Sequence, residues 1–178
     1  MTAKDGIISK NLIKDYIFTS LMILMEEKEF EEISITDITK KAGVSRMSYY
    51  RTYISKEDIL VQYFNDLFES CLIKIKSTSC LNKPYLNSQV FRTFGENHIL
   101  IKNMVKAKLY DLLLFHFIKY TTFLAQNLFQ QDINDSRVIY HIYGDAGSLT
   151  VMLVHWIELG MKETPEEMAK LLNSNDCK

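Results

Sequence analysis

The sequence predicts an all-α fold: an N-terminal three-helix unit built around a helix-turn-helix over residues 1–55, followed by a larger helical domain over residues 56–178. Three observations carry that expectation. Apolar residues recur at three- and four-residue spacing through most of the chain, the period of a helix with one buried face. Only two prolines and six glycines interrupt 178 residues, too few for a protein made of many strands and tight turns. Three short segments each open on a serine placed where a helix needs a cap.

Taken in order, Ile8, Leu12, Ile13, Tyr16, Ile17, Leu21 and Leu24 share one face of a helix over about residues 7–28. The acidic stretch EEKEFEEIS ends it. Ser34 and Ser55 are each followed three residues later by an aspartate, and Ser45 precedes RMS. Serine accepts a bond from a free backbone N–H at a helix start, and an acid three positions on bonds back. Helices are therefore expected at about 35–42, 46–52 and 56–77, with Gly43 supplying a turn that a Cβ would strain. STSCLNKPYLNS, with Pro84, is read as a connection. Helical patterns return at about 85–95, 98–107, 109–131, 136–160 and 165–173, with Gly160 as a stop and Pro165 as a first-turn proline.

The bulk numbers bound the function. Apolar residues make up 47% of the chain, ample for a core, and the net charge of −1 selects no polyanionic partner, so any such role needs a local patch. Cys71, Cys80 and Cys177 are odd in number and lack a CxxC pair, which suits a reducing compartment. No apolar run reaches the roughly 18 residues of a membrane span, and the N-terminus lacks the pattern of a signal peptide. A cytoplasmic protein without membrane attachment is expected. There is no nucleophile elbow, phosphate-binding glycine loop or HExxH, so neither enzyme activity nor a cofactor is expected. His141 and Asp145 lie four apart on one helical face, but no set of three or four ligands accompanies them, and no metal is expected.

The local patch exists. From Ser34 to Lys56 there are five cations and one acid, with Tyr49, Tyr50 and Tyr53 among them. Two short helices around a glycine turn form a helix-turn-helix, whose second helix presents its first residues to base edges in a DNA major groove. Here those are Arg46, Met47 and Ser48: arginine suits guanine, serine several base edges, and methionine a thymine methyl. Arg46 and Lys56 oppose the dipoles of the helices they open, a conflict that a docked phosphate relieves.

SITDITKKAGVSRMSYYRTYISKEDIL resembles the DNA-binding signature of the TetR family of bacterial transcriptional regulators, over about residues 7–62. The resemblance implies phosphate contacts at Tyr50, Thr52 and Lys56. It implies base or nearby backbone contacts at Thr36, Arg46, Met47 and Ser48, with Ser45 at the same helix start. Ile38, Ala42, Val44, Tyr49 and Tyr53 match core positions. Thr52 departs from the family pattern, in which an aromatic residue or histidine is common. The resemblance also implies a helical second domain that forms a homodimer and binds a small-molecule effector. The helix over 136–160 fits the dimer: Gly144 and Gly147 each cost about 1 kcal/mol against alanine, acceptable where a second helix approaches closely. Gly144, Gly147, Val151, Val154 and His155 are the expected dimer residues. Phe94, Tyr110, Phe115 and Tyr120 are the expected ligand residues, aromatic walls with polar tips. The implied function is a dimeric repressor bound to a pseudo-palindromic double-stranded DNA operator and released by an effector. The alternative is a co-regulator of the same fold controlled by a protein partner.

Overall fold

A computed structural model of the chain describes residues 3–76 and 82–173. Among these residues the regular structure is helical: α1 (Ala3–Glu27), a 3-10 turn (Phe30–Glu32), α2 (Ile35–Ala42), α3 (Arg46–Tyr50), α4 (Lys56–Lys76), α5 (Lys83–Glu96), α6 (His98–Lys106), α7 (Tyr110–Asn127), α8 (Ser136–Glu158) and α9 (Pro165–Asn173). The chain divides into two compact units, Met1–Asp66 and Leu67–Lys178, and α4 contributes residues to both.

In the first unit, α1 packs on α2 and buries Ile17, Leu21 and Met25. The entrance to α2 is a reciprocal cap. Ser34 Oγ accepts from the Asp37 N–H at 3.1 Å, and Asp37 Oδ2 accepts from the Ser34 N–H at 3.0 Å. Gly43 closes α2 at φ 65°, a left-handed conformation that disfavours any side chain. Ser45 then caps α3 by accepting from the Ser48 N–H at 3.0 Å. The second helix is shorter than expected: it ends at Tyr50, and Arg51 and Thr52 form the turn into α4. Ile38, Tyr49 and Tyr53 are fully or almost fully buried and form the centre of this small core.

In the second unit, α5 packs on α9 and α7 on α8, around Phe91, Phe94, Phe117, Leu153 and Trp156. The region read as a connection is partly helix. Asn82 caps α5 by accepting from the Tyr85 N–H at 2.9 Å, and Pro84 sits in the first turn, where its missing N–H costs nothing. Gly160 ends α8 at φ 88°, and the Met161 N–H returns to the Trp156 carbonyl at 2.8 Å. Thr164 and Glu167 form a second reciprocal cap ahead of α9. Cys71 is a buried free thiol to which the Tyr120 hydroxyl donates at 3.5 Å. Cys80 and Cys177 lie outside the described residues. No described helix is long and apolar enough to cross a membrane.

Candidate nucleic-acid interface and ligand cavity

The helix-turn-helix sorts its three tyrosines. Tyr49 is fully buried and Tyr53 nearly so, each ring lying against the other with centroids 5.7 Å apart, while Tyr50 is 53% exposed. Within α3 the helix repeat turns neighbouring Tyr49 and Tyr50 in different directions, and beyond its end the Tyr53 N–H returns to the Tyr49 carbonyl at 2.9 Å. Met47 is 67% exposed, and Arg46, Ser45 and Thr36 are exposed beside it. Ser48 is half-buried; its hydroxyl lies 2.9 Å from that of Ser45. Thr52 is also half-buried, and its hydroxyl donates back to the Ser48 carbonyl at 3.4 Å. An outward row of Arg46, Met47 and Tyr50 therefore stands on an inward row of Tyr49 and Tyr53.

The surrounding cations are of two kinds. Lys28 and Lys41 are paired, with Asp37 at 2.7 Å and Glu27 at 2.6 Å. The bonds from Lys28 and Ser34 hold the Asp37 carboxyl well below the usual carboxylate range, so the cap stays charged far into acid. Lys40, Arg46 and Arg51 are exposed and form no ion pair among the described residues. These three present uncompensated charge at and beside α3.

Lys56 has a different place. Its Nζ donates to three carbonyls, Phe30 at 2.5 Å, Glu31 at 3.1 Å and Ile33 at 3.1 Å, and lies 4.5 Å from the centre of the Phe30 ring. An ammonium has three donors, and here all three are used within the unit. The carbonyl ends of the 3-10 turn supply a negative partner for this ammonium within the unit.

The Tyr49 hydroxyl is buried with no hydrogen-bond partner among the described residues. Burial, with Glu57 and Asp58 nearby, pushes the phenol above its ordinary value, so it stays neutral. Tyr49→Phe keeps the ring and removes a buried unsatisfied oxygen. It is expected to raise stability by about 1 kcal/mol. A lower midpoint in thermal denaturation would contradict this.

The second unit contains a cavity of about 350 Å³ between α5, α7, α8 and α9. Of the four expected ligand residues, Tyr120 alone lines it. Phe94 is buried against Phe117, centroids 5.2 Å apart; Phe115 is 60% exposed; Tyr110 is half-exposed at the start of α7. The lining that sequence reasoning missed is aliphatic and amide: Leu86, Val90, Leu124, Leu149 and Asn87. Nothing in a sequence distinguishes a leucine on a cavity wall from one in the core. Asp145, weighed as a metal ligand with His141, is instead paired with Lys83 at 2.7 Å.

Along α8, Tyr140, Val151, His155 and Leu159 are exposed, and Gly144 and Gly147 fall on the same side. A Cβ added to either glycine would meet nothing within 4 Å. Val154 lies one turn beyond Val151 but is buried in its own unit.

Comparison with known proteins agrees with this geometry. Residues 86–175, half of the chain, match the family model of the TetR type described as "Transcriptional regulator C-terminal region". A stretch of 53 residues, 30% of this chain, is 38% identical to the HTH-type transcriptional regulator EthR of Mycolicibacterium smegmatis (strain ATCC 700084 / mc(2)155), spanning 24% of that protein. The backbone is similar to that of Lin0861 from Listeria innocua, with a TM-score of 0.79 at 16% identity over 93% of this chain and 89% of that one. It is also similar to a TetR transcriptional regulator from Streptococcus agalactiae 2603V, with a TM-score of 0.62 at 18% identity over 96% and 97% of the two chains. The two structural likenesses establish the fold. The family model, together with the helix-turn-helix, establishes that the chain belongs to the TetR family of transcriptional regulators.

Proposed function

We propose that this regulator is a homodimer that binds a pseudo-palindromic double-stranded DNA operator through α3 and represses until a small molecule occupies its second unit. The observation that carries the reading is the exposed row of Arg46, Met47 and Tyr50, set on buried Tyr49 and Tyr53 and flanked by exposed Lys40 and Arg51. Arg46, Met47, Ser48 and Thr36 are assigned to bases and nearby backbone, Tyr50 and Thr52 to phosphates, and Ser45 to holding the helix start. Lys56 belongs to this interface as the residue that fixes its shape. Dimerisation is supported by the exposed side of α8. Gly144 and Gly147 leave room for a second helix, with Val151 and His155 exposed further along the same side. The cavity favours a small effector over control by a protein partner.

The deciding experiment is selection of DNA from a random pool by the purified protein at a stated salt concentration. Enrichment of a palindrome is expected, and failure of a folded protein to enrich any sequence would remove the reading. On the selected site, Arg46→Ala is expected to cost roughly 1–3 kcal/mol and to relax preference at one base pair of each half-site. Equal loss on every sequence would place Arg46 on the backbone instead. Tyr50→Phe is expected to weaken all sequences alike.

A further inference from the structure

The walls of the cavity sort by burial. Leu86, Val90, Leu124, Ala125, Ile142 and Leu149 are buried and apolar, and Tyr120 is the one buried lining residue with a polar atom. Asn87, Thr121 and Asn173 add half-buried but uncharged groups. Charged and titratable groups appear only among exposed lining residues: His141, and Lys83 from α5 and Asp145 from α8, which close on each other at 2.7 Å. At this distance each satisfies the other, and the rim offers no spare counter-charge. A ligand ion placed deep in the cavity would lose its water with nothing charged to replace it. One placed at the rim would be attracted by one member of the pair and repelled by the other.

We infer that the cavity takes an uncharged molecule with an apolar body and a single hydroxyl or amide head, and that the Lys83–Asp145 pair sets this selectivity by cancelling the charge of the rim. This inference rests on the effector reading given above and names the class of that effector. The volume of about 350 Å³ lies within the range that holds small organic ligands.

Three probes of matched length test it: 1-octanol, octanoate and octylammonium, titrated calorimetrically into the full-length protein at pH 8, where free imidazole is neutral. The wild type is expected to bind octanol most tightly and the two ions more weakly and about equally. A general preference for the alcohol could arise from hydrophobicity alone, so two rim variants carry the argument. Asp145→Asn frees Lys83 and is expected to improve octanoate relative to octylammonium by about threefold. Lys83→Met frees Asp145 and is expected to do the reverse by a similar factor. Both residues are roughly half-exposed, so neither change disturbs the core.

Tighter binding of either ion than octanol by the wild type would overturn the inference. So would an ion ranking that both variants leave unchanged, or the absence of binding by all three probes. Operator affinity measured with and without octanol separates the two readings. Binding without release of DNA would leave the ligand class standing and remove the effector role.

Discussion

Lys56→Met is expected to loosen the helix-turn-helix unit and weaken operator binding while leaving the salt dependence of that binding unchanged. The side chain crosses from the start of α4 to the turn at 30–33, between 23 and 26 residues earlier in the chain, and joins three carbonyls there. Methionine retains most of the stem and its packing on Phe30 but removes the ammonium from all three carbonyls, of which that of Phe30 keeps the Ile33 N–H at 3.1 Å. Loss of charge-assisted bonds from a part-buried site costs roughly 1–3 kcal/mol of stability. Operator affinity falls because the recognition helix is held less firmly, not because a phosphate loses its partner. The two causes are distinguishable. A lost phosphate contact lowers the slope of log affinity against log salt by about 1, whereas a lost internal clamp leaves the slope intact. An unchanged melting midpoint with a shallower slope would return Lys56 to the phosphate role that the family resemblance implies.

Gly95→Ala is expected to destabilise the second unit, although alanine is the better helix former. The added methyl would lie 2.9 Å from both Cη2 and Cζ3 of Trp156, closer than carbon atoms pack. That ring cannot easily yield. It is buried, its Nε1 donates to the Glu163 carbonyl at 3.0 Å, and Phe91 meets it edge to face at 5.6 Å. Overpacking a core in this way costs about 1–3 kcal/mol. The helix-propensity gain is at most about 1 kcal/mol, and Gly95 lies near the end of α5, where little of it is realised. The clash therefore dominates, with a net loss of roughly 1–2 kcal/mol. Trp156 is the single tryptophan, so its fluorescence follows the unfolding of this unit directly. A variant as stable as the parent would mean that the ring shifts at little cost.

The boundaries of these predictions follow from what the sequence carries. Its local signals were legible. The caps at Ser34 and Ser45, the positive φ at Gly43 and Gly160, and the proline opening α9 all act between residues a few positions apart. So does the helical period that buries Tyr49 and exposes Met47. Pro84 was misread because proline marks both a connection and a first helical turn, and only the Asn82 cap shows which applies.

What remained hidden depends on partners distant in the chain. Lys56 carries the same charge whether it meets a phosphate or the Phe30 carbonyl. Phe94, Phe115 and Tyr120 have similar aromatic side chains, yet one fills the core, one faces outward and one lines a cavity. Val154 shares the apolar character of Val151 but faces its own core. Asp145 could have met His141 one turn earlier, and meets Lys83, 62 residues away, instead. The sequence alone determined the all-helical class, the helix-turn-helix and the exposed row on its second helix, because backbone hydrogen bonding and helical period are settled locally. The tertiary structure alone decided which cation is a clamp, which glycine is held by a ring, and where the cavity and its neutralised rim lie. Those depend on which helix faces are brought together, and the order of residues along one helix marks its buried face but not the partner that covers it.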